Sequence, residues 1–206
     1  LNFKTNVWEI YGGLEIYPLN FLYRNREWQP RLQPYGFVGI GIFHFDPKGS
    51  LTDASGNTTW YKLHPLRTEG EGMSEYPGSK PYKLTQMNIP FGAGIKYVIS
   101  ERFNFSTEVL YRKTFTDYID DVSKNYINKN DFYKYLPASE ANIASQLSDK
   151  TIPIIFPGMT RWPSGTQRGD NKNADTYFSI VAKIGITLGP ISGDNVLRQT
   201  RCPSVY

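Results

Sequence analysis

The chain has 206 residues, 39% of them hydrophobic, which is enough for one domain with a substantial core. Its formal net charge of +4 is small, and its Lys and Arg residues are dispersed among acidic ones, which argues against a nucleic-acid-binding surface. No run approaches the roughly 20 apolar residues of a membrane helix, so a closed β-barrel is the one way in which this chain could span a bilayer. Its 15 Tyr, 12 Phe, 4 Trp and 18 Gly suit such a barrel, although a soluble β-sandwich is also rich in aromatic residues.

Alternation of apolar and polar residues predicts five strands. The chain shows no signal peptide and begins within an alternating segment, so we expect that its first residue is not the natural start. In chain order, the strands are predicted over residues 5–17, 33–45, 82–98, 102–115 and 175–188. A period of two over ten or more residues is typical of transmembrane β-strands, which need about 9 to 11 residues to cross the hydrocarbon. The residues predicted to face lipid are Ile10, Ile40, Phe91, Ile95, Val109, Phe178 and Ile184.

The second predicted strand is less clear than the others. Val38, Ile40 and Ile42 lie on one of its faces. The opposite face carries Tyr35, Phe37, Gly39, Gly41 and Phe43, so the pattern alone does not decide which face points inward.

The connections between these strands alternate in length. Bacterial barrels have short periplasmic turns and long extracellular loops, and their last strand ends in the periplasm. Residues 46–81 and 116–174 are therefore predicted to lie outside the cell, and 18–32 and 99–101 on the periplasmic side. An even-stranded barrel then requires an odd number of further strands, and three would make eight. The predicted fold is an all-β, antiparallel transmembrane barrel over residues 1–188, with a periplasmic tail over 189–206.

The two long loops carry little that indicates catalysis. The segment KGSLTDASGNTTWY reads as turn-rich coil, and residues 139–150 could form a short exposed helix with Ser139 as its N-cap. Acidic and amide side chains could bind Ca²⁺, but the spacing of a calcium-binding loop is missing, and capping of turns is the favoured interpretation. These residues are Asp117, Asp120, Asp121, Asp170, Asn171, Asn173 and Asp175. The RGD at 168–170 is as easily explained by chance.

The faces predicted to point into the barrel carry three acids and three bases. They are Glu9, Glu15, Lys96, Glu108, Arg112 and Lys183. Unpaired buried charges are costly, so this balance favours a narrow lumen closed by ion pairs over a conducting pore.

Nothing in the sequence predicts an enzyme. Two histidines, His44 and His64, and a single cysteine make a Cys–His dyad or a zinc site implausible. The serines lack a nucleophile elbow, and no paired acids indicate a glycosidase. We expect no catalytic residue, no metal site and no cofactor.

Aromatic and arginine residues on the periplasmic side are candidates for binding a partner protein. In the 18–32 connection they are Arg24, Arg26 and Trp28, although Trp28 could instead lie at the membrane interface. The tail contributes Arg198, Arg201 and Cys202. A lone cysteine in an oxidising compartment can form an intermolecular disulfide or remain a free thiol.

Several strings, in order, give the chain a resemblance to a known family. They are PYGFVGIGIFHFDPKG at 34–49, the segment from 61 to 97, YRKTFTDYIDDVS at 111–123 and TQRGDNKNADTYF at 166–178. With these, residues up to Leu188 resemble the PorG-like outer-membrane proteins of the Bacteroidetes type 9 secretion system. The resemblance implies an eight-stranded barrel, with three N-terminal strands absent here.

The resemblance also implies a non-enzymatic role in protein transport. The barrel would associate at the periplasmic side with a ring of PorK and PorN type, a lipoprotein and its partner, on which secretion and in some relatives gliding motility depend. The alternative is a small passive channel, or a surface-adhesion barrel that acts through the two long loops.

Overall fold

The computed structural model describes residues 2–22, 30–100, 102–150, 158–159, 161–186 and 188. The strands are β1 (Phe3–Ile16), β2 (Leu32–Thr52), β3 (Thr58–Lys62), β4 (Thr85–Val98), β5 (Phe103–Thr114) and β6 (Thr176–Ile186). The helices are α1 (Pro18–Leu22), α2 (Lys129–Tyr135) and α3 (Ala138–Leu147), with a 3₁₀ turn at His64–Leu66. Within the described residues, no helix combines the length and the apolar character needed to cross a membrane.

The strands form one mostly antiparallel sheet in the order β1-β2-β4-β5-β6. Strand β3 lies off this path and pairs antiparallel with the end of β2. In the part of the chain that the structure describes, β1 and β6 are the two edges and the sheet is not closed. The prediction of an all-β antiparallel fold is thus confirmed.

The chain divides into two compact units. Unit 1 comprises residues 1–12, 39–90 and 112–177, and unit 2 comprises 13–38, 91–111 and 178–206. Each of the five long strands contributes a segment to both units. The connections between β2 and β4 and between β5 and β6 belong to unit 1, and we call them the loop region.

In β2, β4 and β5 one face is buried or half-buried and the other is largely exposed, as the alternation predicts. β6 alternates between half-buried and exposed residues, whereas β1 is exposed at every position except Thr5 and Glu9, which are half-buried. In unit 2, β5 alternates strictly, with Phe105 and Val109 exposed and Ser106, Glu108 and Leu110 buried. We call the buried face the polar face and the opposite one the apolar face. The seven residues predicted to face lipid are all exposed, Ile10 at 85% and Ile184 at 78% among them.

The structure decides the orientation of β2. Tyr35, Phe43 and Phe45 are buried, whereas Ile40 and Ile42 are exposed. An aromatic set therefore occupies the buried face of this strand, although aliphatic residues are the more usual core residues.

The prediction of coil for the segment after residue 46 was wrong. β2 continues to Thr52, and β3 follows it as the second strand of a hairpin. The Asp53 carboxylate accepts hydrogen bonds from the backbone N–H groups of Ser55 and Asn57, at 2.9 Å each, and Gly56 has a φ of +83°. A side chain that caps its own turn, followed by glycine in the left-handed region, is what closes this hairpin.

The predicted helix near residue 139 is present but differs in detail. α3 begins at Ala138 after Pro137 in the N-cap position, so Ser139 is not the cap. Nor is the helix fully exposed, because Ala141 and Leu147 are buried in an apolar cluster. The residues of this cluster are Leu63, Leu66, Met73, Ile127, Phe132, Ala141, Ala144 and Leu147.

Candidate functional site

The first group of charges on the polar face lies in unit 1. The Arg112 Nε donates to the Glu9 carboxylate at 3.0 Å, and both side chains are largely buried. Asn88 donates to Glu9 at 2.7 Å and to the hydroxyl of Tyr177 at 3.0 Å. The guanidinium also lies over the rings of Tyr11 and Tyr177, 5.8 and 5.2 Å from their centroids. A buried ion pair is thus held by neighbours on both of its members.

The second group lies in unit 2. The Lys183 ammonium is 2.7 Å from the Glu108 Oε2 and 3.5 Å from the Glu15 Oε1. The Tyr35 hydroxyl donates to the same Glu108 oxygen at 2.8 Å. Five of the six predicted interior charges are therefore paired with one another, in one ion pair and one triad.

Lys96 is the sixth, and it lies elsewhere in unit 2. Its ammonium is 5.3 Å from the ring centroid of Tyr17, within the range of a cation–π interaction. Among the described residues it forms no ion pair, so the structure does not bring it together with Glu108 or Glu15.

These contacts require strong curvature within each unit. β1 and β6 are four steps apart in the strand order, and adjacent strands are about 4.8 Å apart, so a flat sheet would separate them by about 19 Å. In unit 2, however, Lys183 of β6 and Glu15 of β1 lie 3.5 Å apart. In unit 1, Asn88 binds both Glu9 of β1 and Tyr177 of β6. The strand segments of each unit therefore curl around their polar face.

Glycines on the polar face permit this curvature. A Cβ at Gly92 would lie 2.0 Å from the Val109 carbonyl oxygen, and one at Gly94 would lie 2.5 Å from the Tyr35 ring. Such close approach is open to glycine alone, and glycine in a strand often marks a bend of this kind.

In the loop region, several acidic residues cap backbone N–H groups. Asp175 accepts from the N–H of Ile119 at 2.8 Å, and Asp120 from that of Val122 at 3.0 Å. Asp170 accepts from the N–H of Lys172 at 3.2 Å. Within the described ranges, no group of three or more His, Cys, Asp or Glu residues is arranged to bind a metal ion.

A buried cluster of charges in the loop region was not predicted. It consists of Glu69, Glu71, Asp121 and Arg168, and we call it the carboxylate cluster. The Arg168 Nη1 lies 3.1 Å from the Glu69 Oε1 and 2.8 Å from the Asp121 carbonyl oxygen. The Asp121 carboxylate accepts from the hydroxyl of Thr68 at 2.6 Å. Three carboxylates are thus gathered around one guanidinium.

Burial raises the pKa values of two acids of the cluster, Glu71 and Asp121. Together with the charge of Asp121, it raises the pKa of Glu71 to about 8. Burial also raises the pKa of Asp121, to about 6, although Arg168 and the Thr68 hydroxyl oppose the shift. The nearby Asp117 carboxyl has its pKa raised to about 6 for the same reason. Such shifts arise because a low-dielectric site disfavours the charged form.

The RGD sequence does not form an accessible recognition motif. The side chain of Arg168 is only 5% exposed and is bound to Glu69. A Cβ at Gly169 would lie 2.7 Å from the backbone of Ser123, so this glycine is needed for close packing.

The proposed partner-binding residues lie outside the described residues. This holds for Arg24, Arg26 and Trp28 in the connection between β1 and β2, and for Arg198, Arg201 and Cys202 in the tail.

No protein-family model, no curated protein and no solved structure matches the chain. The family resemblance seen in the sequence therefore remains a prediction.

Some functional residues escaped the sequence analysis for identifiable reasons. Asn88, Tyr177 and Tyr35 are neutral, so a search for charges passed over them, although their positions in the strand alternation place them on the polar face. Glu69 and Glu71 lie in the string TEGEG, where Gly70 and Gly72 have φ values of +75° and +73°. The alternation of glycine and glutamate in this loop is the sequence feature that could have indicated the carboxylate cluster.

Proposed function

We propose that the chain forms part of a transmembrane β-barrel of a bacterial outer membrane and acts there without catalysis. In this role it anchors or positions a periplasmic lipoprotein ring of PorK and PorN type within the type 9 secretion system. The observation that carries the membrane part is the polarity of the long strands. Large apolar side chains are exposed on one face, while Glu108 and Arg112 are buried on the other and Glu9 is half-buried there.

In a soluble protein the arrangement is the opposite, with apolar side chains buried and charged ones exposed. Burying apolar surface is worth about 25 cal/mol per Å², and a soluble monomer rarely exposes a contiguous apolar patch above a few hundred Å². Lipid is the solvent in which an exposed face of Ile, Phe, Val and Leu is favourable, and ion pairs then belong on the opposite face. Outer-membrane lipids are accordingly the first partner of this chain.

Two observations support closure of a barrel. The strand segments of each unit curl around their polar face, and β1 and β6 are edges that need pairing partners in lipid. A sheet in lipid must have no open edge, because each unsatisfied backbone group costs several kcal/mol there. β1 and β6 are the edges at which further strands would pair. A barrel of eight strands is just wide enough for side chains to fill, which agrees with polar-face contacts that join opposite strands.

The docking role rests on the family resemblance and on the residues of the periplasmic side. Arginine and aromatic residues are enriched at protein interfaces, and Arg24, Arg26 and Trp28 occur together in one connection. Cys202 adds the possibility of an intermolecular disulfide in an oxidising compartment. This part of the proposal is independent of the strand polarity and needs its own test.

The membrane part is tested by placing a charge on the apolar face. Ile184→Arg should cost about 2 to 4 kcal/mol of insertion free energy if this residue lies near the bilayer midplane. The matched control is Tyr133→Arg, at an exposed position on α2 in the loop region, which should leave insertion unchanged. The measurement is the fraction folded in liposomes across a urea series. A soluble protein would instead tolerate Ile184→Arg and gain solubility, which would overturn the membrane proposal.

The docking part is tested by affinity purification from detergent-solubilised outer membranes, with the bound proteins identified by mass spectrometry. Recovery of a periplasmic lipoprotein ring, lost in an Arg24→Ala, Trp28→Ala variant, supports the role. A Cys202→Ser variant and a comparison with and without reductant show whether a disulfide contributes. A barrel that inserts normally but is recovered alone would refute docking and leave the membrane proposal standing.

A surface-binding role is the second candidate, and one observation favours it. The loop region has an apolar core of its own, with Phe132, Ala141 and Ala144 fully buried, whereas a loop that only joins strands needs none. Under this alternative, replacing residues 129–147 with a short glycine–serine linker would abolish surface binding and leave ring recovery intact.

A further inference from the structure

The carboxylate cluster joins two segments of the loop region that are distant in sequence. The first is residues 67–79, which we call the latch segment, and the second is residues 121–124. Glu69 accepts hydrogen bonds from the backbone N–H groups of Ser123 and Lys124, at 3.0 and 2.9 Å. The Lys124 ammonium in turn donates to the carbonyl of Gly78. Each segment thus satisfies polar groups of the other.

The latch segment is itself a compact series of turns. Backbone hydrogen bonds join Gly70 to Arg67, Met73 to Gly70 and Ser79 to Tyr76, at 2.8 to 3.0 Å. Arg67 has a φ of +53°, and a Cβ at Gly70 would lie 2.5 Å from the Tyr76 ring. The segment also contributes Met73 to the apolar cluster, so its release would withdraw this side chain from the core of the loop region.

Glu71 is the member of the cluster without a compensating charge. It is 4% exposed, and its Oε1 has no hydrogen-bond partner. Its Oε2 accepts only the N–H of Glu69, at 3.2 Å. The one guanidinium of the cluster, Arg168, binds Glu69 and Thr68 instead.

The charged side chains that face Glu71 oppose its ionisation, and only backbone N–H groups of Glu69 and Glu71 favour it. Asp121 and Glu69 act on it through their negative charge. The tyrosines Tyr82 and Tyr118 also feel its charge, and both have pKa values raised by burial, that of Tyr118 to about 12. Both phenols therefore stay neutral at physiological pH, and a tyrosine has no cationic form with which to balance Glu71. An ionised Glu71 would be a second net negative charge in a buried site, which is costly without a partner.

We propose that residues 67–79 form a pH-sensitive latch, closed on residues 121–124 while Glu71 is neutral and released when Glu71 ionises. The latch would expose the 121–124 backbone and Arg168 in its open state. It depends on the loop region alone and holds whether or not the proposed membrane role is correct.

The direction of the pH effect follows from linkage. The pKa of Glu71 is about 8 in the closed latch and 4.5 in an exposed glutamate. The contribution of Glu71 to the stability of the closed state is therefore fully present below about pH 4.5. It falls as the pH rises and is lost at about pH 8. Asp121 and Asp117, with pKa values of about 6, act in the same direction over a lower range. An interval from pH 6.5 to pH 9 largely isolates Glu71.

The test is hydrogen exchange of the full chain in detergent micelles at pH 6.5 and pH 9, corrected for intrinsic exchange rates. In the wild type, protection of residues 67–79 and 121–124 should fall by roughly 10- to 30-fold at the higher pH. Glu71→Gln, which is neutral at every pH, should remove this difference. Glu75→Gln is the control in the same segment, because the pKa of Glu75 is lowered to about 2 by Lys134 and Tyr135 and the group does not titrate in this interval.

Equal protection of the wild type at both pH values would overturn the latch, as would a pH dependence that survives in Glu71→Gln. Should Glu71→Gln fail to fold, carboxyl ¹³C NMR of the wild type decides the matter. A midpoint for Glu71 near 8 supports the latch, and a midpoint below about 5.5 refutes it, because the closed state would then carry no preference for the neutral acid.

Discussion

The long strands and the loop region follow opposite rules of burial within one chain. In the loop region, apolar residues such as Phe132, Met73 and Leu66 are buried together in one cluster. In the strands, Ile184 and Ile10 are exposed, while Glu108 and Arg112 are buried. The first arrangement is the usual one of a protein in water, and the second is the one expected of the membrane barrel proposed above.

The two regions also differ in how their charged side chains are neutralised. On the polar face, five of the six predicted interior charges are paired, in the Glu9–Arg112 ion pair and in the triad around Lys183. In the loop region, the carboxylate cluster has three acids for one base, and the pKa values of Glu71 and Asp121 are raised, by burial first and by the charge of neighbouring acids second. Charge on the polar face is thus mostly neutralised by pairing, whereas the carboxylate cluster keeps an excess of acids over bases.

The largest expected effect comes from removing the core of the loop region. Phe132→Ala should destabilise it by about 3 to 5 kcal/mol, because a fully buried aromatic side chain is replaced by a cavity. The readout is hydrogen-exchange protection of α2 and α3. Tyr133→Ala, the exposed neighbour on the same helix, is the control and should have little effect.

Replacing a phenylalanine by alanine on the apolar face tests whether the strands and the loop region are stabilised separately. Phe178→Ala, at a position that is 70% exposed, should leave the protection of α2 and α3 unchanged and alter stability only when lipid replaces detergent. Loss of loop-region protection in this variant would mean that the two regions do not follow separate rules.

How far the sequence predicts this structure also differs between the two regions. The strands could be predicted because apolar residues occupy one face and polar residues the other. This produces an alternation with a period of two, which is visible in a window of ten residues. Only the orientation of β2 was undecided, since Phe43 and Phe45 are as apolar as the residues opposite them.

The loop region was largely beyond prediction because its contacts are distant in sequence. Arg168 and Glu69 are 99 residues apart, and no local pattern relates them. β3 has only five residues, too few for alternation to be distinguished from chance, and α2 has only seven. Asp121 and Arg168 were noticed individually, as a calcium candidate and as part of an RGD, but not as members of one cluster.

Breaking the Glu9–Arg112 pair is the next largest effect. Arg112→Met should cost about 3 kcal/mol or more, because it leaves the Glu9 carboxylate buried without its cation. Adding Glu9→Gln should recover most of that loss, since the remaining groups are then neutral. Urea denaturation in liposomes measures both. A double variant as unstable as Arg112→Met would show that packing of the guanidinium on Tyr11 and Tyr177, and not charge pairing, is what stabilises the site.

The smallest effect is the loss of a single hydrogen bond to a charged group. Tyr35→Phe removes the hydroxyl that donates to the Glu108 carboxylate at 2.8 Å and should cost about 1.5 kcal/mol. Tyr97→Phe is the matched control, because Tyr97 lies on the apolar face of a strand in the same unit and should contribute no such bond. The difference between the two variants in one denaturation series isolates the hydroxyl from the ring. If both variants lost the same stability, the hydroxyl of Tyr35 would contribute no more than that of Tyr97. The two faces of the sheet would then not differ in their need for polar partners.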